Sequence, residues 1–413
     1  MAAASNVNEN VSENVNESVK KNVNELVRAE KLVAGGDALG RLADGRVVFI
    51  AGALPGESVM VELRSDKRDF AKGVAVSIVE RSPSRVDAPC PRIAQGCGGC
   101  GWQHALPDAQ LRWKTDVAAD ALRRIAKLPS ADVRAGGAVD PWRYRTSLRL
   151  AVASDGTIGL RAATSHRVVA IDNCLVAHPA LVALLPMVRV KGADEVSLRV
   201  SVATGEMTAW ADTARASIDG LPASVNVGAG AVIHELVAGV RLRVSAASFF
   251  QSGPQAAELL VTYVREACGD FLSDSHGPLL DAYGGVGLFA ATLAAPTAMP
   301  AIVVESSAAS CADAKVNLGE GAQVVRSRLE DWHPEPVRLV VADPARTGLG
   351  ADGVAVLGAT RAERIVLVSC DAASLARDTV LLATAGYRHG GSTVLDLFPH
   401  TPHVEVVTRF DLV

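Results

Sequence analysis

Leu279-Leu280-Asp281-Ala282-Tyr283-Gly284-Gly285-Val286-Gly287-Leu288-Phe289 runs from an apolar strand through a glycine turn into a helical pattern. Glycines at such a turn let a ligand approach the backbone at the end of a parallel strand. The next apolar strand, residues 301–304, ends at Glu305, 24 positions beyond Asp281, where a carboxylate can hold ribose hydroxyls. The turn departs from G-x-G-x-x-G and carries no phosphate-loop lysine, which argues against NAD and ATP. S-adenosylmethionine (SAM) fits it better.

Strands continue to alternate with helices toward the C-terminus. Residues 338–342 lead into Asp343-Pro344-Ala345-Arg346-Thr347-Gly348, and Ile365-Val366-Leu367-Val368-Ser369 leads into Cys370-Asp371. A last pair of strands, 393–397 and 404–410, flanks Phe398-Pro399-His400-Thr401-Pro402-His403. Residues 249–413 are therefore expected to form an α/β, Rossmann-like SAM methyltransferase domain whose sheet ends in a hairpin. Asp343, Cys370 and Glu405 fall on three successive sheet segments, so a carboxylate, a thiol and a methyl donor can meet at one sheet edge. An isolated cysteine here would read as a core residue; the company it keeps suggests a nucleophile. That set suits methylation of a carbon that is not itself nucleophilic. In uracil, C5 becomes nucleophilic when a thiolate adds to C6, and a carboxylate such as Glu405 can then remove the C5 proton.

Toward the N-terminus the patterning changes. Residues 28–81 read as five short strands with tight turns, including a two-residue hairpin signal at Ala43-Asp44-Gly45-Arg46, and predict a small barrel of the oligonucleotide-binding kind. This stretch resembles the TRAM module, a small RNA-binding barrel. Residues 1–27 are rich in Asn, Glu, Ser and Val, with valine every fourth position from Val7 to Val27, and read as a disordered tail. Residues 82–248 read as a mostly β central domain that opens with a cysteine cluster: Cys90, then Cys97-Gly98-Gly99-Cys100. The paired glycines let two sulfurs reach one centre. Cys174 is the expected fourth ligand, with His104 as the alternative, and the spacing admits either zinc or an iron–sulfur cluster. A helix expected over 110–128 and Trp142-Arg143-Tyr144-Arg145 interleave aromatic and basic residues, which suits stacking on bases and binding of phosphates, or a core Trp and Tyr beside solvated Arg.

The chain has 413 residues, 49% of them hydrophobic, enough for two or three cores. Its net charge of −4 is uneven: residues 28–149 hold 20 Lys and Arg against 14 Asp and Glu, while residues 150–413 hold 19 against 27. The basic segment suggests a surface for a polyanion, an ordinary solvated surface being the plainer reading. Prolines and threonines break the most apolar stretch, so no membrane association is expected, and the N-terminus lacks the layout of a secretory signal. We expect a cytoplasmic monomer.

Taken together, Cys97-Gly98-Gly99-Cys100, Phe249-Phe250-Gln251, Asp343-Pro344-Ala345-Arg346-Thr347-Gly348, Ser369-Cys370-Asp371-Ala372-Ala373-Ser374-Leu375-Ala376-Arg377-Asp378 and Phe398-Pro399-His400-Thr401-Pro402-His403-Val404-Glu405 resemble the RNA uracil-C5 methyltransferases, which make 5-methyluridine in ribosomal and transfer RNA. The resemblance spans roughly residues 28–413. It implies Cys370 as nucleophile, Glu405 as base, a SAM site lined by Gln251, Tyr283, Glu305 and Asp343, and a [4Fe–4S] cluster on Cys90, Cys97, Cys100 and Cys174. The chain departs from the family pattern at Gly284 and Leu288, where Cys and Asn are common, and at Asp371-Ala372-Ala373-Ser374, where Asn-Pro-Ala-Thr is common. A barrel together with a cluster favours ribosomal RNA, the 23S species foremost, with transfer RNA as the alternative; a non-catalytic RNA-binding iron–sulfur protein is the alternative of another class.

Overall fold

A computed structural model describes residues 24–163, 165–273 and 277–413. The expected tail lies outside these residues except for its last four positions, which are not tail at all. Asn24–Arg28 is a strand paired antiparallel with Ser58–Asp66, so the N-terminal sheet begins earlier than the composition suggested. That sheet has six strands, not five, in the order Asn24–Arg28, Ser58–Asp66, Phe70–Glu80, Val47–Ala51, Ala38–Arg41, Lys31–Leu32. Alternation along the strands buries Val27, Ala38, Val48, Ile50, Val59, Val61 and Ala71 on one face. The hairpin over Ala43-Asp44-Gly45 is a three-residue loop: the Leu42 N–H donates to the Arg46 carbonyl at 3.0 Å, and Gly45 takes a left-handed φ of 87°.

The middle of the chain forms a second six-stranded sheet, ordered Val168–Ala170, Ile158–Arg161, Ser147–Val152, Glu195–Val200, Met207–Ala211, Val225–Val227. A two-stranded ribbon, Val232–Val237 with Val240–Ser245, follows it and packs on helices Pro254–Cys268 and Ala308–Leu318 of the last domain.

The C-terminal sheet has eight strands. Ala322–Arg326, Ala301–Glu305, Leu279–Ala282, Leu339–Ala342 and Arg364–Ser369 run parallel; Glu405–Leu412 is antiparallel to the last of these, and Tyr387–Asp396 pairs with it. The eighth strand is Val133–Ala138, parallel to Tyr387–Asp396. Residues 107–138, which the sequence reading placed in the central domain, thus belong to the catalytic layer: helix Pro107–Arg124 packs on helix Ala372–Thr384, and the strand after it closes an edge that would otherwise leave backbone groups unpaired. Gly136 and Gly137 disguise the strand in the sequence. A Cβ on Gly136 would stand 2.7 Å from both Leu395 and Thr393, and one on Gly137 2.6 Å from Leu259, so side chains at either position would displace their neighbours. The glycine turn also leads into something other than an ordinary α-helix: residues 290–294 are wound as a π-helix, followed by a 3₁₀ turn, Ala295–Thr297. No helix among the described residues is long and apolar enough to cross a membrane.

Candidate active site

Parallel strands end together on one edge of the C-terminal sheet, and the chain order reverses between Leu279–Ala282 and Leu339–Ala342, the point where such sheets open a crevice. The edge is strongly acidic. Asp281 is fully buried; one carboxylate oxygen accepts from the Ala290 N–H at 2.9 Å and the other has no partner. Burial pushes its carboxyl up to about 8, with Asp343 and Glu305 adding to the shift. Glu305 accepts from the Gly285 N–H at 3.0 Å and the Ser307 N–H at 2.6 Å, which ties its carboxylate to the glycine turn. Gly285 has a left-handed φ of 56° with open space where a side chain would be, while Gly284 has none: a Cβ there would lie 2.6 Å from Val303 and 3.0 Å from Asp281. A side chain at Gly284 would not fit this packing without movement of Val303, and Leu288 is a core residue. Tyr283 is on the same turn, but its hydroxyl is committed to Glu330 at 3.1 Å, a partner that no sequence motif indicated.

Cys370 follows the last residue of strand Arg364–Ser369. Asp371 caps the next helix, accepting from the Ser374 N–H at 2.7 Å, and the Ser374 hydroxyl reaches the Arg346 carbonyl at 2.6 Å. The Asp371-Ala372-Ala373-Ser374 turn therefore ties Cys370 to the loop carrying Asp343. Asp378 anchors that loop from the other side through the Leu349 and Gly350 N–H groups, at 2.8 and 3.1 Å. Glu405 opens the antiparallel strand whose next residue, Val406, pairs with Ser369, so the register sets Glu405 beside Cys370. Gln251 donates toward Asp343 at 3.4 Å. The four groups form one electrostatic unit. Burial, then Glu405 and Asp343, push the Cys370 thiol up to about 11, against the pull of Arg346. Burial raises Asp343 to about 7, and burial with the Asp343 charge raises Glu405 well above the carboxylate range. Two buried carboxylates this close share protons rather than ionise independently. The structure brings Gln251, Asp343, Cys370 and Glu405 together at the strand ends, with Tyr283 on the adjoining glycine turn and Glu305, ending the next strand, hydrogen-bonded to that turn. Sequence reasoning missed Arg346 and His403, in contact at 2.9 Å beside them.

The cysteine segment lies apart. Cys100 lies within electrostatic reach of Cys174 and Cys97, and Cys174 within reach of Cys90. Burial raises Cys100 to about 11 and also raises Cys174, with Arg145 opposing both. Among the described residues no group of three or more His, Cys, Asp or Glu is placed to hold a metal ion. His104 does not join the thiols: it is shifted by burial, Arg85 and Glu57, at the base of the barrel. Lys114, on the helix whose aromatic and basic residues suited either RNA contacts or a core with solvated cations, is fully buried against Asp396 at 2.6 Å. A broad cleft of about 1580 Å³ opens in the middle domain, lined by residues including Asp155, Arg189, Lys191 and Asp194, away from the reactive groups.

A parallel sheet with a glycine turn, a thiol and a carboxylate at its open edge defines a methyltransferase-type domain, here joined to a small β-barrel. The TRAM domain family matches residues 26–76. Uncharacterized RNA methyltransferases of Streptomyces coelicolor and Halalkalibacterium halodurans are 34% and 29% identical, covering 90% and 89% of this chain and 89% and 93% of their own length. The chain belongs to this RNA methyltransferase family. The crystal structure of Pyrococcus abyssi tRNA (uracil-54, C5)-methyltransferase with S-adenosyl-L-homocysteine superposes with a TM-score of 0.71 over 94% of this chain and 99% of that one, at 24% identity, which shows the same fold.

Proposed function

We propose that the protein methylates C5 of uracil in structured RNA, using SAM. The observation that carries this reading is the register of Glu405–Leu412 against Arg364–Ser369, which brings a carboxylate beside the only strand-end thiol among the described residues of this sheet. The Cys370 thiolate would add to C6, placing electron density on C5 and the adjoining carbonyl. After C5 has gained a methyl group, Glu405 takes the C5 proton, the C5–C6 double bond re-forms and the thiolate leaves. Glu405 takes that proton only in its ionised form, and its raised proton affinity then makes it the stronger acceptor. Arg346 partly offsets the charge that develops as the thiol ionises. The target base would have to leave its stack to reach this edge, and Phe249, 70% exposed beside the buried Phe250 and Gln251, is a surface on which a base can stack.

SAM supplies, when bound, a methyl group on a cationic sulfur. The unpartnered oxygen of Asp281 and the acidic rim of Glu305 and Asp343 suit a cation, and the open space at Gly285 suits close approach to the backbone. Gln251, Tyr283, Glu305 and Asp343 would line that site. Cys90, Cys97, Cys100 and Cys174 would hold a [4Fe–4S] cluster, whose contribution is a covalent clamp on the segment. Burial raises the proton affinity of Cys100 and Cys174, and a metal centre would replace their protons; the family resemblance is what favours iron over zinc there. The methylation scheme needs no redox step.

We take ribosomal RNA as the substrate, since barrel and cluster segment provide a large recognition surface. The Pyrococcus structure favours transfer RNA as the second reading. Mass-spectrometric mapping of 5-methyluridine in both RNA pools from cells with and without the gene tests the proposal. Loss of one 5-methyluridine supports it and identifies the RNA; unchanged 5-methyluridine in both pools overturns it.

A further inference from the structure

Glu405 is delivered by the loop formed by residues 397–404, and that loop is held mainly by residues from far earlier in the chain. Lys114 donates to Asp396 at 2.6 Å and to the Phe398 carbonyl at 3.1 Å. The Tyr144 hydroxyl donates to the Pro399 carbonyl at 3.2 Å. The Trp102 N–H donates to the His400 carbonyl at 2.9 Å, and the His400 N–H donates to Gln110 Oε1 at 2.6 Å. Gln110, fully buried, spends its Nε2 on the Ala105 carbonyl at 2.9 Å and lies 3.3 Å from His400 Nδ1, so it joins the end of the cysteine segment to this loop. Between these contacts the backbone does something that a non-glycine residue resists: His400 has a φ of 66°. Its ring is stacked on Trp142 at 4.1 Å between centroids.

We propose that Gln110 and Lys114 are positioning residues for the base. They hold residues 397–404 in the one shape that presents the Glu405 carboxylate to C5 of the bound uracil. The inference rests on the role given to Glu405 above. Both side chains are polar and buried, and every hydrogen bond they make goes to this loop or to the cysteine segment behind it, none to Cys370 or the glycine turn. A buried Lys paired with Asp is a poor source of net stability, so a role in geometry accounts for it better. The chemical consequence is specific. Thiolate addition and methyl arrival are carried out by Cys370, on which Glu405 acts only through its charge; breaking C5–H and expelling the thiolate need the Glu405 carboxylate itself in place. Misplacement by about 1 Å costs about 100-fold in such a step.

The test uses the full-length protein, SAM with a labelled methyl group, and RNA containing uridine tritiated at C5. Tritium release reports loss of the C5 proton, and methyl label on a denaturation-resistant protein–RNA adduct reports the steps before it. For Gln110→Met we expect tritium release about 100-fold slower, methyl entry into the adduct within about threefold of wild type, and accumulated adduct. Trp142→Leu, which removes the ring under His400, should show the same pattern more weakly, and Gln110→Glu, which keeps an oxygen for the His400 N–H, should recover most of the lost rate. Proton loss and methyl entry falling together, in step with the folded fraction, would overturn the inference, as would an unchanged rate of tritium release. Glu405→Gln separates it from the reading on which it rests: that variant must trap the adduct, and tritium release at the wild-type rate from it would remove Glu405 itself as the base.

Discussion

Five of the seven cysteines fall in two places, and their surroundings are opposite. Cys370 stands alone at a strand end, facing two carboxylates and Arg346, with a capped helix behind it. Cys100 and Cys174 lie within electrostatic reach of each other and of Cys97 and Cys90, with Arg145 alongside and the acidic sheet edge elsewhere. Burial raises the proton affinity in both settings, but only the first offers the thiol a proton acceptor and an open sheet edge. A single thiol beside a base is equipped to form and break a bond. A group of four thiols is equipped to be held together.

The comparison breaks first at Cys370. Cys370→Ala should abolish methyl transfer and adduct formation while leaving SAM affinity, measured by calorimetry, within a few-fold of wild type; retained turnover would transfer the nucleophile's role elsewhere. Next comes Glu405→Gln, expected to slow product release at least about 100-fold, with adduct visible on a denaturing gel. Cys174→Ser should strip iron from protein purified without oxygen and lower the thermal midpoint, yet leave chemistry at Cys370 intact in the fraction that remains folded. If iron loss slowed methyl entry without affecting the fold or RNA affinity, the clamp role would fail.

The acidic edge gives a pH dependence with a definite sign. The Cys370 thiol, raised to about 11, is mostly protonated at neutral pH, so single-turnover methyl entry at saturating RNA should rise about tenfold per pH unit up to the onset of alkaline unfolding. A flat profile would show that substrate binding removes the burden that the carboxylates place on the thiol. Asp281 shifts stability the opposite way. Its carboxyl is raised to about 8 in the folded state, so folded protein binds a proton that the unfolded chain releases near pH 4, and this contribution to stability is lost as pH climbs from about 4 to 8. Asp281→Asn should flatten that part of the melting profile. The smallest expected effect is at Phe249: Phe249→Ala should raise KM for RNA about tenfold with kcat little changed, the value of one stacking contact.

The residues at the strand ends were legible because β-branched apolar runs followed by polar turns mark where parallel strands stop, and Asp343, Cys370 and Glu305 all occupy such positions. Glu405 was legible because an antiparallel return brings the start of one strand to the end of its neighbour. What escaped had no local signal. Val133–Ala138 carries two glycines where a strand normally has side chains, and only its packing partners explain them, Leu395 and Thr393 at Gly136 and Leu259 at Gly137. Lys114 looks like a solvated cation until the fold supplies Asp396 from 282 positions away. His400 looks unremarkable until its backbone is seen to be left-handed and stacked on Trp142. Long-range pairing, not composition, decides each of these.

The central claim is that Cys370 bonds to C6 of a uracil while a methyl group is delivered to C5. RNA carrying 5-fluorouridine at the target position tests it directly, because fluorine at C5 cannot be removed as a proton and the adduct is trapped. After incubation with SAM and protease digestion, mass spectrometry should find the peptide containing Cys370 joined to a nucleotide that bears both fluorine and methyl, and Cys370→Ala should yield none. An adduct on another cysteine, or methylated RNA with no adduct at all, would contradict the account.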